Sequence, residues 1–534
     1  MSLASSHSSR VVSMASGTLV SRVTGLVRVL VLAWVLGFTP ISDAFNLANT
    51  VPNMLFDLVL GGIATATFIP VFVERLALDG ERRAWKSISS VVNGSLIVLV
   101  AASVLSWFLA PWIIEGFTVL QHSNSASATT VLIQQRAVAT ELLRWFVPQI
   151  FFYGVIGIAT ALLNIRRRFG VATWVPVANN LVCIAVLVWF HLVDPNPVLG
   201  ALDGSRDLLW LGLGTTLGVA VQFLCLVPSL ARSDLWRLSL RLDVKDPAMR
   251  TVGRLGSWTL FVVLANQLSL YVVLAYAFGN GGSGPVSAYT YGWAFMQMPY
   301  AVVVVSVLGA MTPQLAGFAT DEDFAGLAER LRFGLRQSLV IIIPCTFVMI
   351  VLAQPLVAIL LNHVNATHRL AAGTVLAVLA AGLPGFTVFQ LAVRGLQSMQ
   401  RAREVFLLYF FENALTIALC VAVGRHSLAA LTASVSIGYS VAAIAALAVL
   451  ARHRVNITTG VWSVHVRRSL YASLGATAAV AALYAVPDWS HGAGLVARFT
   501  AALLGGVVVY LLVVIALRRR LRRAYAKGAR LQQF

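Results

Sequence analysis

Residues 21–37 read S-R-V-T-G-L-V-R-V-L-V-L-A-W-V-L-G, so two arginines, Arg22 and Arg28, stand inside an apolar segment running from about Val11 to Gly37. That segment is long enough to cross a bilayer, which takes about 20 apolar residues. A charge near the middle of a membrane costs about 2.5–3.5 kcal/mol on insertion scales. Snorkelling to an interface fits neither arginine, because both lie about ten residues from the nearer end. The pair therefore points to a polar cavity or a bound anion. The residues are six positions apart, about 120° around an ideal helix. Both border a wide cavity most easily if Gly25 loosens the turn between them.

The next stretch, S-D-A-F-N-L-A-N-T-V-P-N from Ser42 to Asn53, supports this reading. At helical spacing Asp43, Asn46, Thr50, Asn53 and Asp57 fall within about 80° of one another. They form a polar stripe on an otherwise apolar helix, with Pro52 positioned to kink it. A helix facing lipid has no use for such a stripe, whereas one lining a wet cavity does. An isolated carboxylate at the depth of Asp57 is costly, which predicts a partner, with a first-helix arginine as the favoured one.

The 534 residues are 59% hydrophobic and 11% charged, a composition that excludes an ordinary soluble protein of this length. Apolar runs of about 20 residues, without the period of two of a membrane barrel, predict an all-α polytopic membrane protein with about 14 transmembrane helices. No cleavable signal peptide is expected, since the first apolar stretch is too long and carries arginines. The net charge of +19 raises the possibility of nucleic acid, but the basic residues concentrate in alternate loops and in the tail R-R-R-L-R-R. That distribution follows the positive-inside rule, predicts both termini in the cytoplasm and argues for no nucleic-acid partner. The tail reads as a topology anchor that also meets anionic lipid headgroups. The expected organisation is a six-helix half over residues 1–232, a cytoplasmic loop at 233–254 and a second six-helix half at 255–451. Two last helices at 452–517 and a basic tail at 518–534 complete it. A weak internal repeat pairs Asp43-Ala44-Phe45 with Ser287-Ala288-Tyr289, and Phe68-Ile69-Pro70 with Met311-Thr312-Pro313. Halves of equal orientation occur in transporters built from parallel repeats.

No metal-ligand spacing, nucleotide loop or nucleophile constellation is present, so neither covalent chemistry nor a cofactor is expected. Cys183, Cys225, Cys345 and Cys420 lie far apart in apolar segments and read as small buried side chains. Further polar residues within spans are Asn266, Gln267, Trp293, Gln297, Gln390, Arg394, Glu412 and Asn413. Interhelical hydrogen bonding accounts for Asn and Gln as readily as ligand binding. Arg394 can also snorkel, and Glu412 reads as a packing residue or a protonatable coupling site.

The quoted N-terminal stretch, followed by A-T-A-T-F-I-P-V-F at 64–72, resembles the signature of the MurJ/MviN family of lipid II flippases. The eighth-span run Y-T-Y-G-W-A-F-M-Q-M-P-Y resembles the branch of that family found in high-GC Gram-positive bacteria. The resemblance implies the multidrug/oligosaccharidyl-lipid/polysaccharide exporter fold, with two six-helix lobes about a central cavity and a groove near the last two helices for a lipid tail. It implies lipid II, or a similar polyprenyl-diphosphate-linked saccharide, as substrate. It also implies membrane lipids as neighbours, with cell-wall synthesis enzymes as candidate partners. Arg22 and Arg28 match the family's first-helix cavity arginines, Asp43 its outer aspartate, and Pro52-Asn53 its second-helix Pro-Asn. Phe56-Asp57 stands where many members have paired arginines, and Gly61 where they have glutamate. Trp293 and Ala294 replace an Asp-Arg pair, and Gln390 replaces a lysine. The substrate-contacting residues expected here are Arg22, Arg28, Asp43, Asn53, Asp57, Gln297, Gln390 and Arg394. Two rivals are a flippase for another polyprenyl-linked saccharide and a drug/cation antiporter, which would need an acidic centre.

Overall fold

The turn that closes the first helix shows how local chemistry sets the element boundaries. In the computed structural model α1 (Ser2–Leu36) ends at Gly37, whose φ of 61° is the left-handed cap that glycine adopts without steric cost. Thr39 then accepts the N–H of Ser42 at 3.2 Å, and Pro40 occupies the first helical position of α2 (Pro40–Phe56). A π-helical turn over Asp57–Gly61 follows.

The structure describes the chain outside residues 1, 62–67, 69–71, 73, 76–79, 122–124, 167–168, 233–237, 244, 281–283, 361–365, 459–462, 485–492 and 532–534. At 2–15, 60–61, 169, 254–256, 464, 483–484, 493, 495 and 518–531 it describes the backbone alone. The described residues contain helices and no strand. After α2 come α3 (Gly80–Thr118), α4 (Ala126–Phe146), α5 (Pro148–Ile165) and α6 (Phe169–Val193). A single turn, α7 (Leu199–Leu202), leads to α8 (Arg206–Ala231) and α9 (Pro247–Gly279). The chain continues with α10 (Pro285–Pro299), a second π-helical turn at Tyr300–Val304, α11 (Val305–Thr320) and α12 (Phe324–Leu360). The last elements are α13 (Ala366–Ser398), α14 (Ala402–Val423), α15 (Leu428–Arg452), α16 (Val464–Tyr484) and α17 (Ala493–Leu531).

Twelve helical stretches among the described residues are long and apolar enough to cross a membrane. At the other two of the fourteen expected places stand α2 and α16, which fall outside that set. One boundary differs from expectation. The stretch before Arg144, which is not an apolar run, is helical from Ala126, capped by the Ser125 hydroxyl on the N–H of Ala128. Its Ser, Thr and Gln content lowers hydropathy without opposing a helix. Of the cysteines, Cys183 and Cys420 are buried as expected, whereas Cys225 is exposed on α8.

Two compact units divide the chain, Met1–Thr290 and Tyr291–Phe534. The division falls within α10, past the basic loop at 233–254. That loop is fastened to α3: Asn93 donates to the carbonyls of Ser239 and Arg241, both at 2.8 Å, and Ser87 donates to Asp246 at 2.8 Å. In the first unit α1 packs on α6, α6 on α8, and α2 on α4. In the second, α13 is central, packed against α12 and α15, while α16 and α17 pair with each other and α16 lies on α12. The α13–α15 contact depends on small residues. A Cβ on Gly382 or Gly385 would come within 2.7 and 2.6 Å of Ser436 and Ser440. Backbones that close let van der Waals packing substitute for the hydrophobic drive that lipid does not supply. Exposed apolar side chains such as Phe108 and Trp112 of α3 and Leu504, Val508 and Leu512 of α17 are the surface that a bilayer would cover.

Candidate functional site

The first unit holds most of the expected polar residues. Helix α1 runs unbroken through Arg22 and Arg28, so Gly25 does not loosen it. Gly25 instead lets α6 approach, its Cβ position lying 3.6 Å from Asn180 Nδ2. Asn180 donates to Thr24 Oγ1 at 3.0 Å and to the carbonyl of Ser21 at 3.2 Å. The helix is thus clamped between its two arginines. Arg22 is exposed and Arg28 half-buried, and neither has a hydrogen-bond or ion-pair partner among the described residues. Arg28 lies within electrostatic reach of the Tyr153 hydroxyl and the Cys183 thiol. Tyr153 packs its ring against Phe56 at 5.8 Å and so links the Arg28 region to the end of α2. Sequence reasoning did not single out Tyr153 or Asn180; a tyrosine and an asparagine within spans were the available signal.

The α2 stripe is less open than its pattern predicts. Asp43 is buried at 1% exposure and accepts three hydrogen bonds: from Gly284 N at 3.1 Å, Ser287 N at 2.8 Å and Ser287 Oγ at 2.7 Å. Its carboxylate therefore caps the N-terminus of α10, where unpaired N–H groups and the helix dipole favour negative charge. Asn46 reinforces this contact by donating to Ser287 Oγ at 3.1 Å. Gly284 has φ of 86°, and a Cβ there would meet Phe38 at 2.5 Å, so glycine is required at this junction. Asn53 is half-buried and donates to the carbonyl of Asn49.

Asp57 does have a partner, but it is not an arginine. Gln267 of α9 donates to Asp57 Oδ2 at 3.3 Å. An amide reaches the carboxylate because α9 packs against the π-helical turn that carries it. We expect Gln267→Leu to destabilise the protein by about 1–3 kcal/mol through the orphaned acceptor. The Asp57→Leu, Gln267→Leu double variant should recover most of that loss, as read by thermal melts of purified single and double variants. A double variant as unstable as the sum of the single ones would remove the pairing.

In the second unit Gln390 accepts the Tyr409 hydroxyl at 3.2 Å, and Arg394 Nη1 donates to Gln397 at 3.3 Å. Gln297 is half-buried with no partner among the described residues. Trp293 belongs to an aromatic cluster, stacked on Tyr439 at 6.5 Å and edge-on to Phe386 at 6.2 Å. Glu412 is buried at 1% exposure and accepts from Thr416 at 3.2 Å. The repeat seen in sequence extends to the backbone, since α2 and α10 both pass into a π-helical turn, an element frequent at functional sites. Ile69 and Pro70 of its second motif lie outside the described residues. No group of three or more His, Cys, Asp and Glu side chains among the described residues is placed to hold a metal ion.

Residues 32–505 match the family model described as lipid II flippase MurJ. The chain belongs to the MurJ family. The matched region contains Asp43, Asn53, Asp57, Gln297, Gln390 and Arg394 and begins after Arg22 and Arg28. Among curated relatives, the lipid II flippase MurJ of Burkholderia cenocepacia is 26% identical over 393 residues, covering 72% of each chain. The probable lipid II flippase MurJ of Rhizobium meliloti is 24% identical over 413 residues, 76% of this chain and 73% of its own. A solved lipid II flippase MurJ in an inward closed conformation superposes with a TM-score of 0.74 at 19% identity, over 95% of this chain and 99% of that one. An inward-facing multidrug resistance transporter of the MATE family reaches 0.67 at 15% identity, over 81% and 94%. These likenesses establish the fold as the one shared by MurJ proteins and MATE transporters.

Proposed function

We propose that this multi-pass membrane protein flips lipid II, the lipid-linked peptidoglycan precursor, from the inner to the outer leaflet of the bacterial cytoplasmic membrane by alternating access. It is a transporter rather than an enzyme. The observation that carries the reading is the match of residues 32–505 to the MurJ family model, and the physical chemistry of the site agrees with it. A pyrophosphate and a disaccharide-peptide cannot cross hydrocarbon without losing their hydration. Arg22 and Arg28, which have no hydrogen-bond or ion-pair partner among the described residues, are the proposed diphosphate contacts, since the planar fork captures phosphate oxygens two at a time. Asn53, Asp57, Gln297, Gln390 and Arg394 are proposed to meet the rest of the headgroup. Asp43 is proposed to act indirectly, by fixing the start of α10.

A place for the lipid tail is supported within the second unit. A cavity of about 450 Å³ is lined by Leu339, Ile343 and Phe347 of α12, Val388 of α13, Ile444 of α15 and Leu470 of α16. Its walls are almost wholly apolar, as a polyprenyl chain requires. Both termini are proposed to be cytoplasmic on the loop charges. A Ser283→Cys variant of an otherwise cysteine-free protein should then react with an impermeant thiol reagent in intact cells, and protection would reverse the topology. Protein partners are to be sought among the enzymes of cell-wall synthesis.

The rival flippase differs only in headgroup, so the deciding experiment is which lipid-linked saccharide builds up when the protein is depleted. Accumulation of lipid II supports the proposal; accumulation of a different polyprenyl-linked saccharide with lipid II unchanged replaces it.

A further inference from the structure

A second cavity, of about 750 Å³, lies in the first unit and shares no residue with the proposed transport site. It sits at the C-terminal end of α3, beside α4 and the turn at Asp203. Its polar groups are not paired with one another. Among the described residues Arg144 Nε and Trp145 Nε1 are buried donors without an acceptor, and Arg144 forms no ion pair. On the opposite side of the charge balance, the exposed carboxylates of Glu115 and Asp203 have no donor among the described residues. The other charged groups in the wall are already engaged. Arg136 donates to Thr118 Oγ1 at 2.7 Å, and Glu141 accepts the N–H of Gly204 at 2.9 Å.

Buried donors without an acceptor and exposed carboxylates without a protein donor, lining one cavity without meeting, are complementary to a ligand carrying both charges. A buried donor without an acceptor is costly, and a phosphate is a strong acceptor for guanidinium and indole N–H. An ammonium group suits two free carboxylates. The surroundings specify where such a ligand comes from. Trp107, edge-on to Trp145 at 6.0 Å, lines the cavity, and Leu105, Phe108 and Trp112 present an exposed apolar face along the same helix. Tryptophans at the end of an apolar span mark the membrane–water interface.

We propose that this cavity binds the headgroup of a zwitterionic phospholipid of the phosphoethanolamine type. The phosphate lies on Arg144 and Trp145, the ammonium between Glu115 and Asp203, and the acyl chains along α3. The site is distinct from that of the flipped substrate and does not depend on the identity of that substrate.

The test uses the full-length protein in nanodiscs of mixed phosphatidylethanolamine and phosphatidylglycerol, with retained lipid counted by native mass spectrometry. The wild type should retain phosphatidylethanolamine over phosphatidylglycerol by roughly ten-fold, the order expected from one charge-assisted pair. Arg144→Gln, and separately the Glu115→Gln, Asp203→Asn double variant, should erase that preference, while Arg206→Gln, outside the cavity, leaves it unchanged. If Arg144→Gln fails to fold, Trp145→Phe keeps the ring, removes the N–H and should weaken retention. Equal retention of phosphatidylglycerol by the wild type overturns the zwitterion assignment. A preference that survives both charge variants overturns the site. Competition by free phosphoethanolamine as effective as by the lipid overturns the membrane source.

Discussion

Alanine at both Arg22 and Arg28 is expected to abolish growth in a strain depleted of its own lipid II flippase, with the variant protein present in the membrane at normal level. Removing charge from a span makes insertion easier by about 2.5–3.5 kcal/mol per residue, so loss of function cannot be assigned to failed insertion. Nor do the arginines hold the fold, for neither has a hydrogen-bond or ion-pair partner among the described residues. The clamp on this part of α1 comes from Asn180, through Ser21 and Thr24, and stays in place in the variant. Lysine at either position keeps the charge and loses the fork. One lost charge-assisted bond of about 1.5–3 kcal/mol lowers transport by roughly ten-fold or more. Normal growth from a well-expressed double alanine variant would make both residues structural.

The second large effect is expected at Asp43. Its carboxylate satisfies two backbone N–H groups and one hydroxyl at the start of α10. Asp43→Ala leaves the N–H groups of Gly284 and Ser287 without an acceptor, each costing about 1–3 kcal/mol. Asn46 turns its donor Nδ2, not its amide oxygen, toward Ser287 Oγ. We expect a lowered melting temperature together with loss of complementation. Asp43→Asn, which keeps one acceptor oxygen but not the charge, should fall between. An alanine variant with unchanged melting and growth would remove the cap from the account.

The fold class was legible because runs of apolar residues and the alternation of basic loops are one-dimensional signals, and the N-terminal motif named the family. Arg22 and Arg28 stand out for the same reason, as charges where a span allows none, and their part in binding is a proposal. What was not legible depends on contacts across the chain. Asp57 pairs with Gln267, 210 positions away, and an arginine partner was the expectation because charge alone was visible. The stripe from Asp43 to Asp57 was seen as one wet face. The structure closes its ends with Ser287 and Gln267, partners that helical periodicity cannot supply. The helix from Ala126 was hidden because hydropathy reports burial in lipid, and its Ser125 cap and Gln-rich face report only helix formation.

Movement of lipid II between leaflets is tested most directly by finding where lipid II lies after the protein is depleted. An impermeant probe that modifies or cleaves lipid II from outside the cell should find almost none within a generation of depletion, while total lipid II rises. Re-expression of the wild-type chain should restore access, and the Arg22→Ala, Arg28→Ala variant should not. Lipid II that stays accessible from outside in depleted cells would contradict the account.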